Sequence, residues 1–505
     1  MSRINTNVQS MIAQRVLGQN NQNLSQTLER LATGTKINRG KDDPAGLIAS
    51  EALRSQIRST NAALSNADRA DQVVNIAEGG LQEVSGLLTE LQGLVTASAS
   101  SAGLSDDEKQ ANQLQVDSIL QTIDRIAGAT SFQGIKLLNG NFDFNVSNVA
   151  SGVSDYRINA AKFSGSSLNL NAVITQSAQQ AGLYLSFGGT ALNLSGTNGS
   201  FTIEVRGSKG ARQLTFASAT AVSTIVKSVN TFKDVTGVTA SAGGTGVKLY
   251  SSDFGSSEFV TTKVISTGNI FGSNIGIYGM SSSDFDVVRT TGATTFTNAS
   301  NGVTDYGQNI GATINGIQAV AKGKSARVSS DFLDVELNFT TSRSQQLGAV
   351  GTGGTTATVT GGGASFQLAG KVDIAGKVSL GIGDVATRKL GGSVSGFLSS
   401  LASGNSNALT GNNLDSAQKI VSEAINQVSS LRGRLGAFQK NTIGATIRSL
   451  NVAVENSEAA QSVIRDSDFA EETARLTRSQ ILVSASTNVL GLANNSPQSV
   501  LQLLG

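Results

Sequence analysis

Apolar positions follow two regimes along the chain. Up to about residue 135, and again from about 405 to the end, they recur every three or four residues. Between those stretches they alternate with polar residues among dense Gly, Ser and Thr. The first regime predicts long amphipathic helices and the second predicts strands. Leu24, Leu28 and Leu31, with Ile12 and Val16 upstream, place a first helix from Val8 to about Thr33, with Gly34 as its C-cap. A polar, irregular stretch from Lys36 to Asp43 follows, and Pro44 suits the first turn of the next helix. That helix runs to about Ala99. Within it Ala77, Leu81, Val84, Leu88, Leu91 and Val95 step by 4, 3, 4, 3, 4, a heptad seam that implies left-handed coiled-coil packing. Gly79, Gly80, Gly86 and Gly93 weaken it as an isolated helix, so packing must supply its stability. After a turn at 102–104, Ser105 and Glu108 form a capping box, with Asp106 and Asp107 at the positive helix end. The third helix carries Val116, Leu120, Ile123 and Ala127 and ends near Gly128.

The C-terminal end repeats the pattern. Ala417, Val421, Ala424, Val428, Leu431, Leu435 and Phe438 step alternately by four and three. Ile443, Ile447, Leu450 and Val454 continue after a phase break. A final helix is expected over roughly Ser467–Leu492, followed by Asn494, Asn495, Pro497 and the apolar tail Val500, Leu501, Leu503 and Leu504. Asp466, Asp468, Glu471 and Glu472 complement the dipole at its start, and Arg475 and Arg478 are spaced to pair with them. Helices of about 40–55 residues are roughly 60–80 Å long. They present more apolar seam than one thin bundle hides, so part of it is expected to meet neighbouring chains. The fold class is α+β: helices from both chain ends form a coiled-coil bundle, and a β-rich region is inserted between them.

In the inserted region Val335, Leu337 and Phe339 alternate with polar residues and predict a strand. Asn315-Gly316 between Ile314 and Ile317 predicts a hairpin. Residues 351–363, GTGGTTATVTGGG, are expected to be a turn-rich loop. Gly323-Lys324-Ser325 has the form of the end of a phosphate-binding loop. Gln318 stands where that loop needs glycine, and the flanks read as strands, so a phosphate-binding loop is not expected.

Composition narrows the function. At 505 residues the chain exceeds the roughly 250–300 residues at which a single core stops growing, so two to four domains are expected. Net charge is +2 and no Lys/Arg run is interleaved with aromatics, which argues against a nucleic-acid partner. There is no His, Cys or Trp. The common zinc sites and the Ser-His-Asp and Cys-His nucleophiles are therefore excluded, and the usual general base is missing. No catalytic residue, metal ligand or cofactor is expected. The N-terminus has neither an apolar h-region nor a small-residue cleavage pattern, and no segment reads as a membrane span. Export, if it occurs, is expected without a cleaved signal, and no membrane partner is expected.

Specific residues at both ends carry a family resemblance. Arg3-Ile4-Asn5-Thr6-Asn7, Leu28-Glu29-Arg30-Leu31-Ala32-Thr33-Gly34, Lys36-Ile37-Asn38 and Asp42-Asp43-Pro44-Ala45-Gly46-Leu47 stand near the start. Ser131-Phe132-Gln133-Gly134-Ile135-Lys136-Leu137-Leu138 closes the first half. Arg432-Gly433-Arg434-Leu435-Gly436-Ala437 opens the second, and the stretches 464–474, 476–482 and 497–504 follow in order. With these motifs the chain resembles bacterial flagellin, the filament subunit. A short β motif from Gly311 to Phe339 resembles one found in some flagellin and hook-associated insertions.

The resemblance implies a structural protein, not an enzyme, that self-polymerises into an extracellular filament and transmits motor torque. It implies inner-core helices from 1–44 with 460–505, a helical shell from 45–145 with 402–459, and a β-rich surface-exposed variable region over 146–401. Leu24, Leu28, Leu31, Ile481, Val489, Leu490, Leu501 and Leu503 are the expected self-assembly contacts. Leu81, Val84, Leu88, Leu91, Val421, Val428, Leu431 and Leu435 form the expected heptad seam. Implied partners are many copies of the same chain, hook-associated junction and cap proteins, and a flagellar export chaperone, with export through the flagellar type III channel and termini that fold on assembly. One departure stands out. Enteric-type flagellins read QRVRELAV where this chain has Thr89-Glu90-Leu91-Gln92-Gly93-Leu94-Val95-Thr96. Glu90 and Gln92 replace arginines in the stretch gripped by the innate Toll-like receptor for flagellin, so weak or absent recognition is expected. The rival readings are a hook–filament junction protein sharing the terminal helices, an enzymatic insert, and an adhesive or glycan-binding middle. The His-Glu-x-x-His site of the zinc-peptidase insertions is impossible here.

Overall fold

The computed structural model describes residues 6–100, 103–163, 165–195, 199–280, 293–392, 395–411 and 413–504, the last nine of them as backbone only. The longer helices are α1 (Val8–Thr33), α2 (Pro44–Ser98), α3 (Asp106–Ala129), α4 (Val222–Thr231), α5 (Leu414–Ala437), α6 (Gly444–Arg465) and α7 (Phe469–Leu504). The chain divides into two compact units. One comprises Met1–Val74, Phe366–Lys377 and Leu435–Gly505, and the other Asn75–Ser365 and Val378–Arg434.

The first unit contains both chain ends. Asn7 caps α1 by accepting from the Ser10 backbone N–H, and Gly34 closes it at φ +70°, a conformation that favours a residue without Cβ. Asp42 shapes the connection to α2 by accepting from the Arg39 and Asn38 amides at 2.9 and 3.2 Å. The Arg39 amide first, then the Asn38 amide and nearby cations, hold the Asp42 carboxyl below its ordinary 3.8 despite some desolvation. The phase break seen in the sequence is a π-helical segment, Phe438–Ile443, whose wider turn moves the apolar stripe around the helix. Ile443 is buried, whereas Ile447, Leu450 and Val454 are only half-buried.

One sequence expectation fails here. The last helix does not stop at Leu492 but continues to Leu504, through Pro497. Asn494, Asn495 and Pro497 form a local stop signal. The Ala493 carbonyl, which would ordinarily take the N–H of residue 497, accepts from the side chain of Asn7, the cap of α1.

In the second unit, α2 from Asn75 onward, α3 and α5 bury the predicted seam. Leu81, Val84, Leu88 and Leu91 of α2, Val116, Leu120 and Ile123 of α3, and Val421, Val428 and Leu431 of α5 are all buried. The capping box at Ser105 and Glu108 is formed. Gly80 is more than a weak point in α2. A Cβ there would lie 2.8 Å from Leu138 Cδ1 and from Thr130 Oγ1, so the glycine admits the segment that follows α3. Buried Gln113 donates to the Leu401 carbonyl at 2.9 Å and accepts from the Leu409 amide at 2.6 Å, fastening the strand-to-helix connection onto α3.

Among its described residues the β-rich part holds two hydrophobic cores. One draws on strands from 144 to 178 and from 310 to 359, with Ile158, Leu170, Ile174, Val335, Leu337 and Phe339 inside. The other, over residues 181–299 and nested between the halves of the first, packs α4 with two four-stranded antiparallel sheets. Phe187, Phe201 and Phe296 meet at its centre, with ring centroids 5.1–5.9 Å apart. The predicted strand spans Leu333–Phe339, with alternate residues buried. The predicted hairpin pairs Ile314 with Ile317, and Asn315 and Gly316 take φ of +50° and +81°, as a type I′ turn requires. Gly323-Lys324 is likewise a hairpin turn, between Lys322 and Ser325.

Residues 351–363 are not a loop throughout. Ala357–Gly362 form the central strand of a three-stranded sheet, pairing with Phe144–Ser147 and Leu168–Leu170. The flanking glycines disguise ATVT, in which buried Ala357 and Val359 alternate with the threonines.

Candidate self-assembly surface

α1 and α7 pair antiparallel, as four contacts show. Asn7 Nδ2 donates to the Ala493 carbonyl at 2.7 Å, and Ser10 Oγ to Asn494 Oδ1 at 2.6 Å. Asn20 Nδ2 donates to Ser486 Oγ at 2.7 Å, and Arg30 Nη1 meets Glu472 Oε1 at 3.3 Å. At the far end Lys36 N donates to the Arg465 carbonyl at 2.6 Å and Ser467 N to that of Gly34 at 3.0 Å. Asp468 caps α7 by accepting from the Ala470 and Glu471 amides. Arg475 pairs with Glu471 at 2.5 Å and lies 3.8 Å from Glu472, the local pairing its spacing predicted.

The side chains between these helices invert the usual arrangement. α1 buries Ser10, Ala13 and Thr27. α7 buries Glu472, Ser479, Ser486 and Ala493. The large apolar residues lie outside: Met11, Ile12 and Leu28 on α1 are about half exposed, and on α7 Ile481, Val489 and Leu492 are 63%, 55% and 72% exposed. Ile12, Val16, Leu482, Val489 and Leu492 line a groove of about 610 Å³. Contiguous apolar surface of this kind marks an interaction site. Among the described residues no group of His, Cys, Asp or Glu could hold a metal ion, and no helix is long and apolar enough to cross a membrane.

The residues singled out from sequence fall into separate environments. Leu28, Ile481 and Val489 are exposed, and Leu24, Leu31 and Leu490 are half-buried. The side chains of Leu501 and Leu503 lie outside the described residues. Leu81, Val84, Leu88, Leu91, Val421, Val428, Leu431 and Leu435 are buried within the chain. Sequence reasoning passed over Leu482 and Leu492, which line the groove, over the exposed Met11, and over the Arg30–Glu472 pair. Spacing signals Leu492, three after Val489, and adjacency to Ile481 signals Leu482, whereas Met11 lies four residues before Arg15 and its spacing does not mark it.

The family model described as the bacterial flagellin N-terminal helical region matches residues 4–143, and the model for the C-terminal helical region matches 418–504. The B-type flagellin of Pseudomonas aeruginosa is 31% identical over 514 residues, covering 99% of each chain. The chain belongs to the bacterial flagellins. Flagellin B of Vibrio anguillarum, 27% identical over 503 residues, and the flagellin of Salmonella typhimurium, 28% over 522, likewise cover 99% of both chains. Flagellin is a structural protein, not an enzyme. It polymerises with copies of itself into the extracellular flagellar filament, which transmits motor torque for swimming.

Proposed function

We propose that the α1–α7 pair is the element through which copies of this flagellin join. In this reading residues 1–44 with 460–505 form the inner core, 45–145 with 402–459 the surrounding helical shell, and 146–401 the variable outer region. Leu28, Ile481 and Val489, with Leu24, Leu31, Leu490, Leu501 and Leu503, make the contacts between subunits. The observation that carries this is the inverted packing of α1 and α7, with small and polar side chains inside and large apolar ones outside. Hook-associated junction and cap proteins and an export chaperone are partners of the same exposed terminal helices.

The test is negative-stain electron microscopy of the full chain seeded with sheared filaments, beside a variant lacking residues 1–40 and 465–505. Long filaments from the full chain alone support the assignment. Elongation by the truncated chain refutes it, and failure of both favours a junction protein.

A second reading concerns recognition by the host. Glu90 accepts from Gln115 at 2.7 Å on the exposed side of α2. It replaces a cation with an engaged anion in the stretch that the Toll-like flagellin receptor grips. Weak or absent receptor activation is the proposed consequence. Full-strength reporter activation by purified monomer would overturn it.

A further inference from the structure

Pro497 lies inside α7, four residues beyond Ala493. A residue at that position ordinarily gives its N–H to the carbonyl four residues earlier. Proline has no N–H to give. The Ala493 carbonyl accepts instead from Asn7 Nδ2, 2.7 Å away and 486 residues distant in sequence. The same amide group is also occupied at its other end: Asn7 Oδ1 accepts from the Ser10 N–H at 3.0 Å and caps α1. Ser10 in turn reaches Asn494.

We propose that Asn7 is a positioning residue for filament assembly, its side-chain amide standing in for the N–H that Pro497 lacks. The α7 helix is intrinsically weak at its proline, and α1 supplies the missing donor only when docked. The last turns of the chain are thereby set in direction by the N-terminus. Each end completes the other: Asn7 starts α1 with its oxygen and continues α7 with its nitrogen. An aspartate keeps the cap and places a carboxylate oxygen against a carbonyl. A serine keeps a cap and has no reach to Ala493. Asparagine is the residue that serves both helices. The inference rests on the reading of the α1–α7 pair as the assembly element and adds to it a specific dependency between two residues.

The experiment measures the critical concentration for seeded polymerisation of the full chain carrying N7D, N7S, P497A, and each Asn7 substitution combined with P497A. With proline present, N7D and N7S are expected to raise it about tenfold, the scale of one buried carbonyl left without a donor. With alanine at 497 the helix supplies its own N–H, and the same substitutions are expected to change it less than about twofold. An equal effect in both backgrounds overturns the proposal, as does an N7S chain that assembles like the parent. If P497A gives no filament, P497S supplies the same N–H and takes its place. Failure of both would show that the proline ring itself is needed, and that also overturns it. I481S run in the same assay separates the two readings. If it assembles normally, the assignment of the α1–α7 surface falls. If it is impaired while N7S is not, only the role of Asn7 falls.

Discussion

Ile481→Ser is expected to separate assembly from folding. Ile481 is 63% exposed on α7. Fully burying an isoleucine side chain stabilises by about 1.5–3 kcal/mol. The part still exposed in the single chain therefore contributes about 1–2 kcal/mol when a neighbouring copy covers it. Each tenfold in an equilibrium constant is about 1.4 kcal/mol, so the critical concentration should rise roughly 5- to 25-fold. Serine is the apt replacement because its helix propensity is close to that of isoleucine, and α7 itself is little disturbed. Urea unfolding of the unassembled chain should keep its midpoint. Leu88→Ala is the mirror experiment. Leu88 is completely buried between the helices of the second unit, and its truncation should cost about 2–5 kcal/mol of monomer stability. Below the unfolding temperature it should leave the critical concentration within about twofold. Sedimentation of seeded reactions over a range of subunit concentrations gives the one quantity, and circular dichroism in urea gives the other. An I481S chain with the parent critical concentration, or with a midpoint lowered as far as that of L88A, would refute the reasoning.

Three further outcomes follow from particular contacts. Glu472→Gln leaves the largely buried Arg30 without its counter-charge and should weaken filaments by about 3 kcal/mol; heat depolymerisation reads this out, and an unchanged midpoint would show that the pair is solvated in the filament. Burial pushes the Asp117 carboxyl up, but hydrogen bonds from the Ser403 side chain and amide and from Gln113 outweigh it and hold the group below 3.8. A depressed carboxyl contributes stability that is present above 3.8 and lost as pH falls through the folded value, so Asp117→Asn should flatten the acid limb of monomer stability below 3.8, and an unaltered limb would contradict this. Gly86 has open space where a Cβ would go, whereas Gly80 faces Leu138 and Thr130 at 2.8 Å; Gly86→Ala should stabilise the monomer by about 0.5–1 kcal/mol and Gly80→Ala should destabilise it by about 1–2 kcal/mol, with matching urea midpoints for the two variants counting against the distinction.

Much of the helical part was legible because its signals are local. A 4–3 step, a Ser-x-x-Glu box and a glycine after the last apolar turn each act within a few residues, and α1, α2 and α3 have the expected bounds within a residue or two. The misreadings have non-local causes. Pro497 reads as a stop because the donor that compensates it lies at the other end of the chain. ATVT reads as loop because its partners, Phe144–Ser147 and Leu168–Leu170, lie roughly 210 and 190 residues earlier. The phase break before Ile443 was visible as a number, but only the backbone shows that a π turn absorbs it without ending the helix. That the β-rich region has two cores was not legible at all, since alternation within strands does not say which strands share an interior.

The assembly surface shows the same limit more sharply. Leu81 and Ile481 both stand in long helices among small and apolar neighbours, and the spacing of each is compatible with a seam. One is closed to solvent and the other is 63% exposed. Period identifies a stripe; it does not identify what covers the stripe. In the second unit three helices of one chain are enough to cover theirs. In the α1–α7 pair the buried side chains are small or polar, joined by hydrogen bonds from Asn7, Ser10 and Asn20 and by the Arg30–Glu472 pair, so little apolar area is buried where the two helices meet. If, as proposed, neighbouring copies cover the apolar outer stripe, they add stability that the pair does not draw from its own interior. On that reading folding of the two chain ends is coupled to growth of the filament, and a substitution such as I481S should be nearly silent in the monomer and plain in the polymer.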